Sequence, residues 1–310
     1  MATRGKTAGL IEEALYGVAT DVTRAGDRRW QFVLASGSFV PVQARLTDAW
    51  LELTTDVPQT TAFGIDAHSW LRFNAGLDGP VRAVCGLQTE RVRLSADLNI
   101  EDDGTVVERV AWMCDEIGAA LRRCQVEHDL AVSPLAPGQN HTGTDDIERL
   151  CAEAGWPAAG GAAGGLRIDL DSGVGPAAYL DRKNSGALRV MVELADVADY
   201  SRTSLEAVGL VLLAVSASVR SIKGLLVERE GAECAALATA APWPNSAAAL
   251  NRSLSALAVA CQAVWREVPA LRDESLARAY VERWNLPRSS DNRVVNSNVI
   301  KEEHACLQQQ

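Results

Sequence analysis

Histidine is scarce: four in 310 residues, at 68, 128, 141 and 304, with no H-E-x-x-H and no two at helical metal spacing. That excludes a helical zinc site of the protease type. The seven cysteines (85, 114, 124, 151, 234, 261, 306) are odd in number and form no C-x-x-C, so neither a disulfide framework nor a zinc ribbon is encoded. They read as buried thiols, with Cys114 and Cys124 on a helical core pattern. Basic charge is in deficit, thirty Lys and Arg against forty Asp and Glu for a net −10, which excludes a field attractive to nucleic acid.

Long hydrophobic runs are missing too. The longest strongly apolar uncharged stretch, Ala207 to Val219, is too short to span a bilayer and contains Ser216 and Ser218, so no membrane partner is expected. The opening "MATRGKTAGLIEEALYG" has no continuous apolar region before Glu12 and Glu13, and the expectation is a cytoplasmic protein. No G-x-S-x-G elbow occurs, and no cysteine can be paired with a particular histidine. The one glycine-rich run, "GWPAAGGAAGG" (155–165), precedes a strand pattern and lacks a phosphate-loop lysine, so it reads as a connection. Asp169 and Asp171 share a strand face beside Arg167, and Glu101, Asp102 and Asp103 crowd a turn before Gly104. Both groups read as solvated carboxylates. No catalytic residue, metal or cofactor is assigned, and the chain is read as no enzyme.

What the sequence does contain is a folded core in two portions. A hydrophobic share of 47% with 23% charged residues is that of a globular chain, and the length suits two domains. "SPLAPGQNHTGT" has two prolines, two glycines and no charge, and reads as a linker over 133–144. The expected division is a first domain over 1–132, the linker, a second domain over 145–271, and an extra helix with a C-terminal tail over 272–310.

In the first domain, Leu10, Ile11, Ala14, Leu15 and Val18 predict a helix over 8–22. Three strand patterns fill "WQFVLASGSFVPVQARLTDAWLELTTDV", and "DAHSWLRFNAGL" (66–77) predicts a helix with Asp66 as its cap. Val92, Leu94, Ala96 and Leu98 alternate as a strand, and a Thr105 to Glu108 capping box opens a helix through Leu121. After the linker the order recurs. A helix over 145–154 is followed by strands at "GLRIDLDSG", "PAAYLDR" and "ALRVMVELADV", then a helix opened by a Thr203 to Glu206 capping box. Strands at "VRSIKGLLVERE" and "AECAALATA" and a helix over Leu250 to Val268 complete it. An ungapped echo, "VRAVCGLQTER" (81–91) against "VRSIKGLLVER" (219–229), agrees at six of eleven positions and falls after the middle helix in both halves. The expectation is an α+β tandem of helix, three strands, helix, two strands, helix.

The stretch from Leu71 to Leu121 carries a helix ending in Asn74-x-x-Leu77, a hairpin finishing in Ala96-Asp97-Leu98, an acidic turn and a closing helix. In this it resembles the type III secretion chaperone-like domains and the related YbjN-like bacterial domains. The resemblance is clear over 66–122, extends to 8–57, and for 145–271 rests on element order and the echo. It implies two tandem α/β sandwich domains paired as an intramolecular pseudo-dimer, with a homodimer of chains left open. It also implies binding of an extended protein or peptide client without catalysis, as a chaperone or adaptor for a secreted client or as a biosynthesis accessory protein holding a precursor peptide for modifying enzymes. A scaffold that binds a folded partner is the alternative, and an enzyme or small-ligand binder with no recognisable motif is the third. Candidate peptide-binding residues are Trp50 and Glu52, on one polar strand face with Asp48 and Thr54, and Trp30 and Phe32 on another strand. Val294, Val295, Val299 and Ile300 could dock the tail on the body.

Overall fold

The computed structural model describes residues 2–34, 40–47, 49–57, 66–86, 91–100, 105–126, 133–134, 144–160, 166–170, 178–182, 188–229, 231–239 and 246–285. The tail over 286–310, the acidic turn at 101–104, Asp48, Asp171, His128, His141 and His304 lie outside those residues. The fold mixes helices with antiparallel sheet.

The first half runs α1 (Ala2–Val18), β1 (Ala19–Gly26), β2 (Arg29–Leu34), β3 (Pro41–Leu46), β4 (Trp50–Asp56), α2 (Ala67–Ala75), β5 (Arg82–Cys85), β6 (Val92–Asn99) and α3 (Val106–Val126). A two-residue strand, β7 (Ser133–Pro134), lies in the expected linker. The second half runs α4 (Thr144–Glu153), β8 (Ala158–Gly160), β9 (Leu166–Ile168), β10 (Ala178–Arg182), β11 (Leu188–Asp196), α5 (Arg202–Ser218), β12 (Ile222–Arg229), β13 (Ala232–Thr239) and α6 (Ala247–Val264). Two short helices follow, α7 (Glu267–Ala270) and α8 (Glu274–Asn285), and α8 packs on α5.

Strand order in the first sheet, sheet A, is β1-β2-β3-β4-β6-β5, and in sheet B it is β8-β9-β10-β11-β13-β12 with β7 added parallel to β12. Element for element the halves match. Each has four strands before its middle helix, not three. β1 escapes sequence reading because it is an edge strand with six of eight residues exposed, so no apolar alternation marks it. The opening helix ends at Val18, short of the expected Val22, where β1 begins with the β-branched Thr20, Val22 and Thr23 close together. β8 is an Ala-Ala-Gly segment inside the stretch expected to be only a connection.

The echo lies on β5 and β12 as expected, yet its residues do not superpose. On β5 the odd-numbered Ala83 and Cys85 join the main core, whereas on β12 the even-numbered Ile222 and Leu226 do. Val81 and Val219 are an even number of positions apart, so the aligned residues face opposite sides of their sheets. What the halves share is element and strand order.

One continuous core runs through both halves. Trp30, Phe32, Leu51, Leu53 and Leu94 from sheet A, with Ile11, Leu15, Met113, Ile117 and Leu121 from α1 and α3, belong to it. So do Val208, Leu212 and Leu213 of α5, and Leu250, Leu254 and Leu257 of α6. The span Ala247–Ala270 is long and apolar enough to cross a membrane by length and composition alone; here Leu250, Leu254, Leu257, Cys261, Val264 and Val268 are buried in protein.

Candidate partner-binding face

The two halves meet through their middle helices. α2 packs on α5 and on β12, while α5 packs on β5 as well as on its own β12. A methyl group at Gly209 would stand 2.6 Å from the His68 backbone nitrogen, so only glycine lets α5 approach α2 this closely. α2 gets no cap from Asp66; its first N–H, on Ala67, donates instead to Glu206 Oε2 of α5 at 2.8 Å. The expected capping box at Thr203 is not used. Ser201 caps α5 by accepting from the Ser204 N–H, which frees Glu206 to serve the neighbouring helix.

At their C-terminal ends the helices exchange cations. Arg82, buried on the outer face of β5, donates to the Ser216 carbonyl of α5 at 3.0 Å and to Asp97 Oδ2 at 2.6 Å. The same carboxylate oxygen accepts the N–H of Ser221, whose φ of 59° turns the backbone toward it. Lys223, buried on the outer face of β12, donates to the carbonyls of Leu77 at 3.1 Å and Gly79 at 2.5 Å, past the end of α2. Each half thus places a cation on the carbonyl-rich end of the other half's helix, where the backbone dipole favours positive charge. Beside Lys223, Glu116 is held above the usual carboxylate range, chiefly by burial, with Lys223 acting the other way.

Two helix side chains close the seam. Asn74 accepts from the Ala83 N–H at 2.6 Å and donates to the Ala83 and Gly224 carbonyls, both at 3.1 Å. Ser216 Oγ accepts from the Gly224 N–H at 2.8 Å. The edge of β5 is therefore occupied by an amide that mimics a neighbouring strand, and that of β12 by side chains and β7.

What stays open is the outer face of sheet A. A row of paired residues crosses all six strands: Thr23, Gln31, Gln43, Thr54, Ser95 and Arg82. From Thr23 to Gln43 it is exposed, at Thr54 half-buried, and at Ser95 buried under the seam. Of the sequence candidates, Trp50 and Glu52 lie on this face, both half-buried, with the Arg220 guanidinium 5.7 Å from the Trp50 ring centroid. Trp30 and Phe32 lie on the opposite face, each 1% exposed, and offer a partner no surface. The apolar alternation of β2 itself explains their burial. The clasp residues Glu206, Arg82, Asp97, Ser216 and Lys223 carry no sequence signal of their role, because each acts on a chain segment more than a hundred residues away or on a strand pairing. Asn74, Arg82 and Asp97 belong to the stretch that carries the resemblance, which gave none of them this role.

Among the described residues no group of three or more His, Cys, Asp or Glu could hold a metal ion. Cys85, Cys114, Cys124, Cys151, Cys234 and Cys261 are all buried. Burial, with Asp115 adding, pushes the Cys114 thiol up to about 12, and burial with Glu148 pushes Cys151 up to about 11. Neither is a thiolate nucleophile at neutral pH. Asp169 pairs with Arg167 at 3.5 Å on the surface, and His68 sits 3.5 Å from Glu206 at the helix seam. Comparison with known protein-family models and with curated proteins finds no match for the chain.

Proposed function

We propose that the chain is a non-catalytic binding protein that takes up an extended segment of a protein or peptide client on the outer face of sheet A, as a cytoplasmic chaperone or adaptor. The observation that carries this reading is the contrast between that face, open and lined with hydrogen-bonding side chains around Trp50, and the interlocked seam beside it. A half-buried indole among polar neighbours is a suitable anchor for a partner side chain. The reciprocal helix contacts support a pseudo-dimer of two secretion-chaperone-like domains within one chain. The strand β7, added in parallel to the edge of β12, is an internal example of an extended segment joining a sheet.

The test is affinity purification of the intact protein from its native extract, with mass spectrometry and mass photometry of what it retains, repeated with Trp50→Ala. One short or unstructured polypeptide at fixed stoichiometry, lost in the variant, is the expected result. Capture of a folded subunit alone would replace this reading with that of a scaffold. A tightly held small molecule with no polypeptide would overturn binding of a client altogether.

A further inference from the structure

At the far corner of the same face, the β1–β2 turn and the end of β3 border an open, shallow concavity of about 640 Å³ lined by Gly26, Asp27, Arg28, Arg29, Arg45 and Thr47. Arg29 and Arg45 are direct cross-strand partners, both exposed. Like charges placed opposite one another on neighbouring strands repel, and the fold supplies no relief. Among the described residues neither guanidinium has a carboxylate in ion-pairing reach, although Glu52 is opposite Arg45 on the next strand. Arg24 adds a third cation nearby, folded over the turn with its guanidinium donating to the carbonyls of Gly26 at 3.2 Å and Asp27 at 3.0 Å. Half-buried Arg28 is a fourth. Among the described residues Asp27 is the one carboxylate in the lining.

Such a corner runs against the sign of the whole in a protein of net charge −10. Guanidinium forks accept carboxylates bidentately, and two of them on adjacent strands stand at the spacing of cross-strand neighbours, about 5 Å between Cα atoms. Alternate carboxylate side chains on an extended segment are about 7 Å apart, a difference that arginine side chains can span. We infer that the Arg29 and Arg45 corner is an acidic-segment site: it binds a Glu- or Asp-rich stretch of polypeptide lying across the outer face of sheet A. This deepens the proposed client-binding reading and rests on it for the identity of the ligand.

Fluorescence anisotropy of labelled polyglutamate against the full chain tests it, with a Gly-Ser peptide of equal length and inorganic phosphate as comparisons. Polyglutamate should bind where the Gly-Ser peptide does not. The Arg29→Ala/Arg45→Ala protein should bind it at least about tenfold more weakly, and binding should weaken between about 50 and about 150 mM salt. Arg29→Lys/Arg45→Lys, which keeps the charge and loses the fork, should fall between. Undiminished binding by the double alanine protein overturns the site. Equally avid binding of phosphate that displaces the peptide overturns the acidic-segment ligand in favour of a small anion. A client captured from extract with equal yield by the double alanine protein removes the corner while leaving the proposed function standing. Polyglutamate binding lost in that protein, with no client ever captured, keeps the corner and removes the proposed function.

Discussion

The outer faces of the two sheets have parted company. On β4, β6 and β5 of sheet A, half-buried Glu52 and Thr54 and buried Ser95, Asp97 and Arg82 occupy that face. On sheet B, the corresponding face gathers Met191, Leu225, Val227, Cys234, Ala236 and Ala238 into a second apolar cluster, joined by Ala75 from α2. Strand order is the same and the chemistry of the three matching strands is opposite, a buried ion pair on one sheet and an apolar cluster on the other. The clasps differ in the same way. Arg82 is balanced by a buried carboxylate, Asp97, with side chains 3% and 1% exposed, whereas Lys223 leans on backbone carbonyls with half-screened Glu116 beside it.

Breaking the stronger clasp should cost most. Asp97→Ala leaves Arg82 charged and buried without its partner, and should lower unfolding free energy by about 3–5 kcal/mol in denaturant titration. Gly209→Ala pushes a methyl into the backbone of Ala67 and His68, atoms that cannot swing aside. Its expected cost is about 3 kcal/mol, the upper end for overpacking, read in the same titration.

Lys223→Met probes the weaker clasp and should cost about 2 kcal/mol through lost charge-assisted bonds. It also has a pH signature. A carboxyl whose folded value is raised penalises the folded state above that value and imposes no penalty below its ordinary value, here 4.5. Removing the cation raises Glu116 further. The variant's deficit should therefore be larger at neutral pH than in acid below that range, with NMR titration of Glu116 as the check. Arg220→Ala should be the mildest, about 0.5–1 kcal/mol, the worth of an exposed cation over an indole. Acrylamide quenching should increase in that variant, and Trp50→Phe should abolish the increase.

Periodicity made α3 and β4 readable, since the residues that recur at helical or strand spacing are the buried ones; α5 and β13 were legible as apolar runs, buried on more than one face. β1 and β8 stayed hidden because edge strands need bury almost nothing. The echo located the right strand in each half with the wrong residue register, since short identities ignore the two-residue alternation that decides which face a side chain takes. Trp50 and Glu52 were legible as outward-facing on their strand. Arg29 and Arg45 were not, because their juxtaposition arises from β2–β3 pairing, which composition does not encode.

The Glu206 cap on α2 reaches across 139 positions of sequence, and it sets a timetable. While the chain is being synthesised, the first half emerges with α2 lacking its acceptor and with Arg82 and Asp97 awaiting Ser216 and Ser221. None of these can be completed until α5 has left the ribosome. Contacts of such long range delay the committed step of folding. The nascent first half must therefore wait with its seam exposed, and this protein is itself in need of protection for as long as its second half is unfinished.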